Sequence, residues 1–236
     1  MIDDPRGAIE FDEHGSGPTT LVFVPGSFST GAAWRPVIRA LAGHYRIVTT
    51  SLLGYGGTAE RRDLDNLSID TEVEVLAAVL RRVGGPAHVI GHSFGAHVAL
   101  ACALRTDNPP LSPAVLEVGG EPALLAQFHS MSDPYIAAWR AGEADAARRV
   151  IDWLVAYRDR PDTAAFARMA VPTQVLRGAL GHAAVQRGNE LISQWLPAAS
   201  LMTVPGASHF MISTHADEVA RLVEAHIAAV SKCAAA

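Results

Sequence analysis

The residues best suited to chemistry lie in one pentapeptide, Gly91-His92-Ser93-Phe94-Gly95. The apolar run Ala87–Ile90 before it reads as a buried strand, and the stretch from Ala96 to about Leu104 reads as a helix. A G-x-S-x-G between strand and helix is a sharp turn that presents its serine at the apex. Glycines at its two ends let neighbouring backbone approach closely. The helix behind the turn aims N–H groups and a positive dipole end at any anion formed there. Ser93 is therefore the candidate nucleophile, and attack on a carbonyl is the chemistry it suits. A serine hydroxyl performs that attack only when a base takes its proton.

The elements around this turn alternate in kind. Ala8–Asp12 has the alternation of an edge strand, and Thr20–Val24 reads as a buried strand running into Pro25-Gly26-Ser27-Phe28. A helix over about Pro36–Ala42, a strand over Arg46–Thr50 and an amphipathic helix over Ser68–Val83 follow. Ser68, Asp70 and Thr71 are candidate caps for that last helix, and Gly84-Gly85-Pro86 stops it. Beyond the Ser93 turn come strands at Pro113–Val118, Val171–Arg177 and Leu201–Val204, with helices over Glu190–Trp195 and about Ala216–Val230. Short apolar strands alternating with helices predict an α/β fold with a mostly parallel sheet covered on both faces. Residues 119–170 break the rhythm without a β pattern and read as a small helical cap inserted after the strand at 114–118. The expected organisation is a core of 1–118 and 171–230, a cap of 119–170 and a disordered tail of 231–236.

Bulk properties narrow the function. A chain of 236 residues, 49% hydrophobic, is large enough for a core without staples. Its net charge of −5 and scattered basic residues argue against nucleic acid or an anionic membrane as partner. Cys102 and Cys233 suit a reducing compartment, Cys102 as a small core residue. The start MIDDPRGAIE lacks the pattern of a secretory signal, and no apolar run reaches membrane-spanning length. A cytoplasmic monomer or homodimer is the expectation. The final Cys-Ala-Ala-Ala has the form of a prenylation box, but without a polybasic run upstream it reads as a frayed tail. The histidines show no metal-ligand spacing and no dinucleotide or phosphate loop occurs, so no cofactor is expected.

Taken together, VPGSF at 24–28, GHSFG at 91–95, VPTQVLRG at 171–178 and VPGASHF at 204–210 resemble the α/β-hydrolase superfamily, in its order, from about Ala8 to Val230. The resemblance implies a catalytic triad. Ser93 is its nucleophile, and His209, on the loop after the last strand, is its base. His92 and His97 sit too close to Ser93 in sequence to reach round to its oxygen; His182 and His215 stay in reserve. The family commonly places an aspartate three residues beyond Gly178, and that position is Gly181. Some members carry the acid at the end of the strand after the elbow helix instead, which is Glu117 here, with Glu121 as the alternative. An acid is needed to hold the imidazole in one tautomer and stabilise its cation. Two backbone N–H groups should form the oxyanion hole, one from Phe94 and one from Ser27, with Phe28 as the alternative to Ser27. The family's usual His-Gly before that donor is Pro25-Gly26 here. Phe28, Trp139, Trp153 and Met211 are the expected lining of an apolar acyl pocket.

These features imply a serine hydrolase acting on an ester, thioester or lactone of a small hydrophobic acid. The same triad could serve lyase or acyl-transfer chemistry. The missing aspartate and altered His-Gly loop leave open a ligand-binding protein that retains only the scaffold. A serine at the apex argues against the haloalkane dehalogenase and epoxide hydrolase relatives, which use aspartate there.

Overall fold

A computed structural model of the chain describes residues 1–41, 43–105, 109–117 and 163–234. Its strands are β1 (Asp12–His14), β2 (Thr19–Val24), β3 (Tyr45–Thr49), β4 (Ala87–His92), β5 (Ser112–Leu116), β6 (Thr173–Gly178) and β7 (Ala199–Val204). They form one sheet in the order β1-β3-β2-β4-β5-β6-β7. Only β1 is antiparallel to its neighbour; every other pairing is parallel. The helices are α1 (Arg35–Ala40), α2 (Ile69–Val83), α3 (Phe94–Arg105), α4 (Thr163–Arg168), α5 (Ala183–Trp195), α6 (Met211–Thr214) and α7 (Ala216–Ala234).

The central strands are apolar throughout because both faces of the sheet are covered. Val22, Val24, Val89, Val115 and Val175 point into one core with α2, α3 and α5. Leu21, Phe23, Ile90, Leu116 and Leu176 point into the other with α1, α6 and α7. α2 is delimited as its sequence requires: the Ser68 hydroxyl accepts the Asp70 N–H, and Gly84 ends the helix at φ 75°. β3 and β4 lie on opposite sides of β2. The connections after β2 and β4 therefore leave the sheet in opposite directions and open a crevice above the carboxyl ends of the strands, where ligands bind in doubly wound sheets.

Some expected boundaries move. The edge strand is Asp12–His14, displaced from Ala8–Asp12; Ile9 instead pairs with Ile2 in an isolated bridge and is fully buried. β5 stops at Leu116 because Glu117 turns to φ 54°. α5 starts at Ala183, earlier than Glu190. α7 runs to Ala234, so residues 231–234 continue a helix and are not a disordered tail. Of the expected cap, α4 is described; residues 119–162 lie outside the described residues. Cys102 is buried, as expected of a core residue, and Cys233 is exposed.

His88, near the start of β4, is close to His226 of α7. His88 Nδ1 is 2.7 Å from Ser112 Oγ. Burial holds the pKa of His88 low; burial, reinforced by the nearby His88, pushes that of His226 down to about 4. Both rings are therefore neutral in the fold at a pH where the unfolded chain protonates them, so stability is complete above the unfolded value and falls as pH drops from about 6.5 towards about 4. His226→Leu should flatten that acid limb, as measured by urea unfolding between pH 7 and pH 4; an unchanged slope would contradict the assignment.

Candidate active site

Every residue of the expected triad lies at the carboxyl end of a strand. Ser93 follows β4, Glu117 follows β5 and His209 lies beyond β7. The turn at Ser93 is as tight as its glycines suggest. A Cβ on Gly91 would come within 2.5 Å of the Gly95 carbonyl oxygen, and one on Gly95 within 2.3 Å of that of Pro25. Ser93 itself stands at φ 54°, with its N–H donated to Leu116 O. Among the described residues, the non-glycine positions with positive φ are Phe28 (61°), Ser93 (54°) and Glu117 (54°). Each such residue costs about 1–3 kcal/mol, and such strain clusters at functional sites.

Glu117 is 1% exposed. Its Oε1 accepts the Gly178 N–H, and its Oε2 lies 3.5 Å from His209 Nδ1. That separation is longer than a tight hydrogen bond. The absent aspartate now has a spatial explanation: a Cβ on Gly181 would stand 3.4 Å from Glu117 Oε2. The carboxylate just beyond β5 thus occupies the space that an acid at 181 would address. Glu121 lies outside the described residues.

Ser93 and His209 line one cavity of about 240 Å³, together with Gly26, Ser27, Phe28, Ser29, Ala33, His92, Phe210, Ile212 and Ser213. Ser93 is 5% exposed, so the cavity is its route to a ligand. Phe28 lines it as expected. Met211 does not: its side chain is fully buried in the core with α7. An apolar residue after a loop histidine can face either way, and here the first turn of α6 points it inward. Trp139 and Trp153 lie outside the described residues.

The loop after β2, where the second N–H was expected, lies against the Ser93 turn. Gly26 is required there because a Cβ would sit 2.8 Å from Ser93 Cβ. Phe28 stands edge-on to Tyr55, with ring centres 6.3 Å apart. Ser27 N–H has no backbone acceptor, and its hydroxyl is shielded without a partner, among the described residues. Tyr55, invisible as a site residue in the sequence, is held in turn by a buried clamp. Arg62 pairs with Glu72, whose side chain is fully buried; the two also bind the Leu53 carbonyl and N–H. A basic residue in a charged loop and an acid in the first turn of a helix both look solvent-facing in sequence, which hides this pairing.

Comparison with known proteins places the chain in a family. The alpha/beta hydrolase family profile matches residues 21–222. The chain belongs to the alpha/beta hydrolase family. It is 26% identical to part of the polyketide synthase ThaQ of Burkholderia thailandensis, over 92% of this chain and 12% of that protein. It is 24% identical to the pimeloyl-[acyl-carrier protein] methyl ester esterase of Aeromonas salmonicida, over 92% of this chain and 98% of that one. The chain spans 37% of another relative, an AB hydrolase superfamily protein of Gibberella zeae. In fold it is similar to a putative lipase from Acinetobacter baumannii, with a TM-score of 0.81 at 18% identity, covering 98% of this chain and 91% of that one.

The acid can be tested on turnover. Glu117→Gln keeps the shape but not the charge and should lower kcat by about 10²–10⁴-fold, as loss of a triad acid does. Near-normal kcat in Glu117→Gln, measured by p-nitrophenyl ester hydrolysis, would remove Glu117 from the site.

Proposed function

We propose that the protein is a serine hydrolase that cleaves an ester, thioester or lactone of a small hydrophobic acid through an acyl-enzyme on Ser93. The observation that carries this reading is the buried Glu117 carboxylate against His209 Nδ1, with Ser93 and His209 on one cavity. Glu117 fixes the tautomer that leaves His209 Nε2 as a base. His209 takes the Ser93 proton as the oxygen attacks the carbonyl carbon. The tetrahedral oxyanion is held by the N–H groups of Ser27 and Phe94. His209 then gives its proton to the leaving group, and water repeats the sequence on the acyl-enzyme.

Support for an ester comes from the relative named as a methyl ester esterase. The cavity's size suits a short acyl or alkoxy group. The likeness to a segment of a polyketide synthase favours one second reading, transfer of the acyl group to an acceptor other than water.

A fluorophosphonate probe should label the wild-type chain and leave Ser93→Ala and His209→Ala unlabelled. p-Nitrophenyl butyrate hydrolysis should follow the same pattern. Wild-type protein that neither reacts with the probe nor hydrolyses the ester would return the chain to a ligand-binding role. Butyrate released in water, set against butyrate ester formed with added alcohol, separates hydrolysis from transfer.

A further inference from the structure

The nucleophile and the base belong to loops far apart in the chain, and what fixes their separation is a physical question. The His209 side chain is 32% exposed. Its loop is anchored on either side. Leu180 N–H reaches Ala207 O before it, and Phe210 O accepts the N–H groups of Ser213 and Thr214 after it. Between these anchors lies the carbonyl of His209 itself. It is 2.8 Å from Nε2 of His92, a contact that spans 117 residues of sequence. His92 is the residue before Ser93 and is 5% exposed. Its ring lies 4.8 Å from the His209 ring, centre to centre, and stands edge-on to Trp34.

We propose that His92 is the positioning residue for the general base: its Nε2–H, donated to the His209 carbonyl, sets how far the imidazole stands from Ser93. The proposal rests on the reading of Ser93 and His209 as nucleophile and base. A carbonyl can only accept, so Nε2 of His92 must carry the proton. The path from nucleophile to base is then one peptide unit, one side chain and one hydrogen bond. Trp34 and the oxyanion loop keep the ring from swinging away: a Cβ on Gly26 would stand 3.4 Å from its Nδ1. A displacement of about 1 Å at such a site costs about 10²-fold in rate. That is the scale of what this donor protects.

Packing alone makes a different prediction, and two variants of nearly equal shape separate them. Glutamine at 92 keeps an N–H donor at similar reach, whereas methionine fills the space without one. His92→Met should lower kcat for p-nitrophenyl butyrate by about 10²-fold, change KM by less than about 3-fold and slow fluorophosphonate labelling of Ser93 in parallel. His92→Gln should recover most of both rates, with the two variants unfolding at similar temperature. Equal kcat in His92→Met and wild type would overturn the proposal, as would equal losses in the Met and Gln variants. Should His92→Met fail to fold, His92→Phe, which retains an aromatic ring, replaces it under the same criteria. Loss of labelling in His209→Ala, measured alongside, tests the underlying assignment of the base separately.

Discussion

There is no room for a side chain between the end of β2 and the turn after β4. The backbone of Gly95 rests against the Val24 and Pro25 carbonyls, and Gly26 rests against Ser93. Because β2 and β4 are hydrogen-bonded neighbours, this contact is fixed by the sheet, not by loop flexibility. It brings the donor-bearing loop and the serine to one place before any side chain is chosen. The left-handed conformation of Ser93 follows from the same crowding. A chain turning from strand to helix in so little space has few other routes, and the surrounding core over-determines the strained one.

The remaining members are placed by longer supports of quite different character. Glu117 is held by the Gly178 N–H at the next strand end, so a backbone donor from β6 fixes a carboxylate carried beyond β5. Phe28 stands edge-on to Tyr55, and the loop bearing Tyr55 is held by the Arg62–Glu72 pair. A buried ion pair adds little net stability over apolar replacements. Its value at this position is that it gives a glycine-rich loop, Leu53-Gly-Tyr-Gly-Gly57, a single course.

Much of this was legible in the sequence, for identifiable reasons. Period and punctuation located all the central strands, because a parallel strand buried on both faces must be apolar along its length. G-x-S-x-G located Ser93 because only glycine fits its two ends. Glu117 as the candidate acid was legible only through resemblance, since a lone carboxylate in an apolar run says that a partner exists and not which one. Edge elements were less legible: β1 pairs on one side only, and its exposed residues carry no periodic signal. Met211 misled because an apolar residue beside a catalytic loop has no sequence mark for which way it faces. The Arg62–Glu72 clamp and the His92–His209 contact were out of reach for a common reason. Each depends on a three-dimensional approach between segments that are separately unremarkable.

The order of the strands carries a kinetic consequence. The contacts that assemble the site join β2 to β4, β5 to β6, and the turn after β4 to a loop beyond β7. Nearly all are pairings of high sequence separation, which pay chain-closure entropy before they return any energy. Helices α2 and α3 can form from local interactions while the last strand is still undocked. Refolding protein should therefore regain most of its ellipticity well before Ser93, Glu117 and His209 are brought together, and in a nascent chain they would stay apart until the final third had been added to the sheet.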